Sequence, residues 1–344
     1  MIGREVVRRN HVTSQPAADT ANVLLSSAGR RVELLQCLRS DLEDLGIQSR
    51  VIAVDASPHS AAGHLADELI KVPAISDPAF MDVVLDVVSE HEVRLIVPTI
   101  DTELDTYARS AQRLHAQGCH VLVSGPSTVE IASDKKTTHD HLVAHGLPCP
   151  TQWPADAARA LSDDLPYPVF VKPQRGSSSI GIRVANCPSE LLDALREDGR
   201  VVETTAPGIE YTVDVWVDHA GNVRSVVPRR RIEVRAGEVS KGITAKHAEV
   251  EAVARSVASS LPDAYGPLTI QLFADETSIE VIEINARLGG GYPLSWAAGA
   301  TSLKWGILDA VGGESLPDDF PWHPNVLMLR YDQSVFLPGG SVKA

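Results

Sequence analysis

Long apolar runs are missing from this 344-residue chain. Nothing approaches about 18 uninterrupted apolar residues, so no membrane span is expected. Arg4, Arg8 and Arg9 stand near the start with no apolar core behind them, which argues against a secretory signal. Residues 1–20 read as a disordered polar tail. Cysteine is scarce and scattered (Cys37, Cys119, Cys149, Cys187) with no C-x-x-C pair. Neither a zinc site nor a disulfide framework is therefore expected, and reduced thiols suit a cytoplasmic protein. Positive charge is in deficit, with 31 Lys and Arg against 45 Asp and Glu, a net charge of −14. Such a chain repels a phosphate backbone, so nucleic acid is not an expected partner. Any anionic ligand must be held by locally clustered cations. Two phosphate-binding signatures are also absent. There is no G-x-x-x-x-G-K-[ST], and Ser26-Ser27-Ala28-Gly29 falls short of G-x-G-x-x-G, which favours a structural or substrate-facing turn there.

What is present is ordinary for a globular protein: 44% hydrophobic and 22% charged residues, enough for two or three packed units. Short apolar runs at 22–26, 51–54, 95–98 and 120–124 alternate with amphipathic helical patterns at 32–45, 80–90 and 104–117. That alternation predicts a parallel sheet with right-handed crossovers, a Rossmann-like unit over residues 21–125. After a helix expected over 135–145, strands are expected at 167–172, 182–184, 201–203, 210–217, 223–227, 268–274 and 278–284. These read as mostly antiparallel, so the fold class expected is α/β followed by α+β.

Three local patterns carry chemistry. The first is Val169-Phe170-Val171-Lys172-Pro173, followed by Gly176, Ser177, Ser178, Ser179, Ile180 and Gly181. A strand-end lysine and a Gly/Ser loop can hold phosphate oxygens, although a surface hairpin explains them equally well. The second is Glu203 and, seven residues on, Glu210. A strand end there can face an adenine edge, and Glu210 can accept ribose hydroxyls; exposed hairpin acids are the plainer reading. The third is Gln271 with Glu283 and Asn285. The last two lie two residues apart on one sheet face, with Ile282 and Ile284 on the other. If 275–278 is a hairpin turn, Gln271 lies opposite, and three oxygen donors suit Mg²⁺.

In this order the patterns resemble the ATP-grasp superfamily, most closely its carbamoyl-phosphate-synthase-like branch, from about Asn22 to Gly313. The resemblance implies a pre-ATP-grasp domain at 21–125, a lid subdomain at 126–204 and an ATP-grasp C-terminal subdomain at 205–344. It implies ATP and Mg²⁺ as cofactors, with Mn²⁺ able to substitute. Asp134-Lys135 looks like the family's D-K pair, with Lys136 as an alternative, and Lys172 like its second nucleotide lysine. Gly176 to Gly181 resemble the lid loop, Glu203 and Glu210 the adenine and ribose acids, and Gln271, Glu283 and Asn285 the metal set. Arg287 resembles the arginine of the N-x-R signature, placed to hold an acyl phosphate or a substrate carboxylate. Within Arg229-Arg230-Arg231…Arg235…Lys241, Arg231 and Lys241 are the candidates beside the γ-phosphate, against the alternative of a solvated charge run.

The implied reaction is ADP-forming ligation: ATP phosphorylates a carboxylate, and an amine displaces the phosphate. The carboxylate and the amine are both expected to be small molecules, amino acids in the leading reading. Ammonia or another amine as acceptor is an alternative, as is a non-catalytic nucleotide-binding module. Gly290, Gly291 and Ser295, before a helix expected near Trp296, are read as the substrate end. Asp101 and Glu103, after the strand ending at Pro98, are read as acceptors for a substrate ammonium, though an N-cap role explains Asp101 too. A homodimer is the default assembly.

Overall fold

The computed structural model describes residues 20–176, 181–235, 237–312 and 320–337. Residues 1–19 of the tail expected at 1–20, and the lid serines Ser177, Ser178 and Ser179, lie outside the described residues, whereas Thr20 forms a bridge with Gln48. Five strands open the fold: β1 (Asn22–Ser26), β2 (Val51–Asp55), β3 (Glu68–Lys71), β4 (Val93–Val97) and β5 (His120–Val121). All are parallel, in the order β3-β2-β1-β4-β5. Successive residues of β1 enter different cores. Leu24 joins Ile52, Ile96 and the helix Phe80–Glu90, whereas Val23 and Leu25 join Leu34, Leu35 and Leu38 of the helix Val32–Asp44. Burial on both faces explains why these strands are apolar without alternation. β3 and the short helix Ala61–Leu65 carry too little periodicity to be read from sequence.

The strand order reverses between β1 and β4, so their C-terminal ends form the switch point of the sheet. Glu103 holds this point together. It is 0% exposed. Its carboxylate accepts from Ser26 Oγ and Ser27 Oγ (both 2.7 Å) and from the Thr99 and Ile100 amides at 2.7 and 3.2 Å. Desolvation pushes this carboxyl up, and those four donors oppose the shift. Glu103 is thus a tie between two loops rather than an acceptor for substrate ammonium. Burying a carboxylate without such donors is costly.

Residues 126–144 form two helices, Pro126–Ser133 on the flank of the helix Leu104–Ala116, and Lys135–Ala144 packed on Pro126–Ser133. A four-stranded antiparallel sheet follows: β6 (Gln152–Pro154), β7 (Val169–Pro173), β8 (Arg183–Ala185) and β9 (Arg200–Thr204), in the order β6-β9-β7-β8. The last and largest sheet contains β10 (Ile209–Val217), β11 (Val223–Arg235), β12 (Glu238–Thr244), β13 (Gly266–Ala274), β14 (Ile279–Asn285) and β15 (Leu327–Leu329), in the order β14-β13-β10-β11-β12-β15. β11 runs eight residues beyond the expected end at Val227, so the arginine-rich run is a strand, not a loop. Among the described residues no helix is long and apolar enough to cross a membrane.

The helix Val32–Asp44 docks on the helices Tyr292–Ala297 and Leu303–Val311. At that junction Asp41 is fully buried. One carboxylate oxygen accepts from Trp296 Nε1 at 2.9 Å, and the other has no hydrogen-bond partner among the described residues. Burial pushes its carboxyl up to about 7, against the Trp296 bond and nearby Lys304. A carboxyl raised in the fold costs nothing below its unfolded value near 3.8, and its cost grows until the pH passes about 7. Stability should therefore fall between pH 4 and 7 by roughly 4 kcal/mol from this group, at about 1.4 kcal/mol per unit. Urea denaturation across that range should show a smaller pH slope for Asp41→Asn than for the unaltered chain.

Candidate functional site

Three cavities meet between the sheets, and Glu283 of β14 lines all of them. The first lies between the four-stranded sheet and the large sheet. Phe170, Pro173, Ile182, Thr204, Thr205, Ala206, Phe273 and Ile282 form its mostly apolar walls. Lys172 points in from the end of β7, its Nζ 2.5 Å from Glu203 Oε2 of β9, and Gln152 Nε2 donates to the other oxygen at 3.0 Å. Register explains the meeting: β7 and β9 are antiparallel neighbours, with Phe170 opposite Glu203 and Lys172 opposite Val201. Lys135 stands at the start of its helix behind the N-cap Asp134, whose side chain accepts from the Lys136 and Thr137 amides. Its ammonium donates to the Gly176 carbonyl at 2.7 Å, and desolvation pulls it below the ordinary lysine range, with Glu283 opposing. Lys136 turns outward to Asp140.

Glu210 of β10 faces the same cavity and accepts from Arg231 Nη1 at 2.8 Å. Desolvation pushes its carboxyl up, and Arg231 pulls against it. The same guanidinium reaches Gln271 Oε1 at 3.1 Å. Gln271 pairs directly with Glu283 across β13 and β14, and Thr269 pairs with Asn285. A bulge follows, since Leu272 pairs with Val281 and Ile282 is the extra residue. The bulge turns Ile282 into the cavity, correcting the expectation that it sits with Ile284 on the apolar face; only Ile284 is in the core. Glu283 has no hydrogen-bond donor among the described residues. Desolvation raises its carboxyl and Asp101 raises it further, while Lys135, Lys172 and Arg287 pull it down.

The second cavity is cationic. Arg31, Arg229, Arg231 and Arg287 line it against Glu238 and Glu283. Arg287 forms a two-bond pair with Asp101, Nε–Oδ1 at 2.7 Å and Nη2–Oδ2 at 2.6 Å. Asp101 also lines the third cavity with Thr102, Arg109 and Arg175, but both of its oxygens belong to Arg287, so an ammonium there must compete with a guanidinium. Arg229 is 1% exposed and grips Asp214 at 2.7 and 2.9 Å. Gly290 and Gly291 form one wall. A Cβ at Gly290 would lie 2.6 Å from Arg31 Nη1, and one at Gly291 would lie 2.2 Å from Arg229 Nη1.

Several expected site residues fall elsewhere. Ser295 is 0% exposed and donates to Asp214 Oδ2 at 2.5 Å, serving the Arg229 pair rather than a ligand. The helix after the glycines starts at Tyr292, not near Trp296, and its Tyr292 and Leu294 amides are spent on the Gly289 and Gly291 carbonyls. Lys241 projects from the outer face of β12 to Glu233 at 2.7 Å and lines none of the three cavities. Ser240 and Gly242 beside it are buried, so strand alternation turns Lys241 away. Gly181 is exposed, and its carbonyl accepts from Arg200 instead of facing the cavity. Arg235 is exposed and pairs with Asp332. Sequence reasoning missed Arg31, Glu238 and Arg330 as site neighbours. Arg30-Arg31 after a strand-end turn is the signal available for the first, while Glu238 and Arg330 arrive from the start of β12 and the C-terminal segment.

Comparison with known proteins places the chain among relatives. Residues 23–122 match the model "PylC-like, N-terminal domain", and residues 132–291 match "ATP-grasp domain". The chain is similar to the D-alanine–D-alanine ligase of Nitratidesulfovibrio vulgaris (strain DP4), 35% identical over 115 residues, covering 31% of this chain and 38% of that protein. It is also similar to the carbamoyl phosphate synthase large chain of Thermotoga neapolitana, 24% identical over 299 residues, covering 76% of this chain and 26% of that one. It thus spans well under half the length of either relative. Among solved structures it resembles the biotin carboxylase domain dimer of the Hydrogenobacter thermophilus 2-oxoglutarate carboxylase, described in complex with MgADP, ADP and bicarbonate. There the TM-score is 0.69 at 18% identity, over 89% of this chain and 73% of that one.

The Arg229–Asp214 pair makes one structural prediction. Arg229→Met leaves Asp214 buried without its cation and should cost about 3–5 kcal/mol in urea denaturation. Adding Asp214→Leu should restore most of that loss.

Proposed function

Because the chain belongs to the ATP-grasp superfamily, with an ATP-grasp domain behind a PylC-like N-terminal domain, we propose that it is an ATP-dependent carboxylate–amine ligase. It activates a carboxylate, of an amino acid in the reading we favour, as an acyl phosphate and joins it to an amine. The observation that carries this reading is Glu283. This carboxylate has no hydrogen-bond donor among the described residues, lines all three cavities, and is approached by Lys135, Lys172 and Arg287. With Gln271 and Asn285 beside it, the set is all-oxygen and singly charged. It fits a hard cation that takes its remaining ligands from phosphate.

In this reading the first cavity takes ATP. Its apolar walls stack the base, Glu210 accepts from the ribose, and Lys172 and Lys135 face the phosphates. Glu203 keeps the Lys172 ammonium at the strand end. Gln271, Glu283 and Asn285 would hold Mg²⁺, which would supply charge neutralisation to the phosphates. Arg231 and Arg287 keep the second cavity positive where the phosphoryl group meets the carboxylate. A carboxylate oxygen attacks the γ-phosphorus, the bond to the β-bridging oxygen breaks, and ADP forms. The amine then adds to the acyl carbon, the carbon–oxygen bond to phosphate breaks, and the amine loses a proton. No covalent nucleophile is required, because positioning and charge neutralisation lower the barrier. Arg287 retains N–H groups beyond those spent on Asp101 and Leu288, so it can hold an anion without leaving its pair. The reading also places the chain in the cytoplasm, where ATP is abundant, as a homodimer acting on small molecules.

Incubation with ATP, Mg²⁺ and pooled amino acids and small carboxylates should release ADP and phosphate. Mass spectrometry should then find a product lighter by one water than its two parents. Binding of ATP without ADP release in any pool would move the reading to a non-catalytic binder. Glu283→Gln should abolish turnover with the fold intact by circular dichroism, and retained turnover would remove Glu283 from the metal set. Lys172→Ala should weaken ATP binding by about ten-fold or more in calorimetry, the size of a lost charged hydrogen bond.

A further inference from the structure

The second cavity has more cationic capacity than phosphoryl transfer uses. Its far end, away from Glu283 and Asn285, is closed by Arg31, which the first sheet contributes from the turn after β1. The Arg31 side chain is 18% exposed. Its Nη1 lies 3.2 Å from Glu238 Oε1, and its Nη2 donates to the Thr99 carbonyl at 3.3 Å. Glu238 is not its own counter-ion: the same carboxylate serves Arg30 at 3.6 Å and Arg330 at 3.3 Å. Three guanidinium groups therefore share one carboxylate. Arg330 has a closer partner in Glu33 at 2.7 Å, whereas among the described residues Glu238 is the one carboxylate in ion-pair reach of Arg31, with Asp101 acting at longer range. Burial lowers the Arg31 pKa; Glu238 and Asp101 oppose that, and Arg287 and Arg330 lower it further, so the net effect of its surroundings leaves room for an added anion. A second donor is also unspent at this cavity, since buried Arg231 Nε has no hydrogen-bond partner among the described residues. Gly290 keeps the wall open, because any side chain there would meet Arg31 and Glu238.

We propose that Arg31 is a specificity-determining residue that binds a second carboxylate on the substrate, so that the activated molecule is a dicarboxylate. The inference rests on the reading of this cleft as a carboxylate-activating site. The carboxylate to be phosphorylated lies at the Arg287 end, and the other docks at Arg31, displacing Glu238 as its partner. A guanidinium suits this role because its planar fork accepts a carboxylate through two bonds. Arg31 also contributes selectivity: a monocarboxylate leaves it in its shared, under-compensated state.

The test is calorimetric binding to the full chain, with and without Mg·ADP. Succinate, glutarate and adipate are each compared with the monocarboxylate of equal chain length. At least one diacid should bind about ten-fold more tightly than its monoacid, the size expected of one charge-assisted two-bond contact. That ratio should collapse to about one in Arg31→Met, fall part-way in Arg31→Lys, and rise in Glu238→Gln, which removes the internal competitor. Should Arg31→Met fail to fold, the opposite directions of Arg31→Lys and Glu238→Gln still decide the matter. Equal binding of diacids and monoacids, no binding of either, or a preference that survives loss of Arg31 would overturn the proposal. The readout is separate from turnover. ADP release driven by monoacids alone would sink the dicarboxylate and keep the ligase, whereas diacid preference without ADP release under any condition would count against the ligase and not against Arg31.

Discussion

The cleft depends on one ion pair between parts of the chain 186 residues apart: Arg287, just past β14, and Asp101, at the switch point of the first sheet. Two parallel bonds fix both distance and orientation, which a single contact between flexible chains cannot do. The pair has force only because its anchors are rigid. Asp101 sits on a turn that Glu103 ties to the end of β1 and the loop after it through two hydrogen bonds, while two more brace the turn itself. Arg287 follows a strand whose register places Gln271, Glu283 and Asn285 on one face. The bridge joins the parallel sheet to the large antiparallel sheet beside Glu283, where the cavities meet.

Electrostatics then shapes what the cleft can hold. In a chain of net charge −14 the arginines of β11 and its surroundings are collected at one place. Most are held by carboxylates of their own: Arg229 by Asp214, Arg231 by Glu210, Arg287 by Asp101. Such pairing keeps the guanidinium groups stable while buried, since an unpaired buried charge is costly. It also leaves N–H groups free to meet an anion. Glu283 is the counterpart, a desolvated carboxylate short of donors, which is where a cation gains most. Opposite needs therefore lie side by side, the arrangement that phosphoryl transfer requires.

Much of this was legible in the residues. Two-faced burial made β1, β2 and β4 continuous apolar runs, and the helices at 32–44, 80–90 and 104–116 carried clear stripes. Hairpin pairing of β13 with β14 could be inferred from the 275–278 turn, which placed Gln271 opposite Glu283. The failures have local causes. Ser295 and Glu103 looked like ligands because their types fit, yet both proved to be fully buried partners of groups distant in sequence. Pro126–Ser133 escaped notice because its cap comes from Asp263, which accepts from the Ser127 and Thr128 amides. The bulge at Ile282 has no sequence mark, and it alone decides which way that side chain points.

The sequence by itself determined the order of the elements and the chemical types at the cleft. These follow from periodicity and from short motifs, in which neighbouring residues constrain one another. Only the tertiary structure decided which of those residues face the cavity and which arginine holds which acid. It also decided that Arg31, Glu238 and Arg330 meet at the far end. Those outcomes depend on strand register, a single bulge and contacts between distant segments. A shift of one residue in register exchanges the two faces of a strand without changing a letter of its sequence.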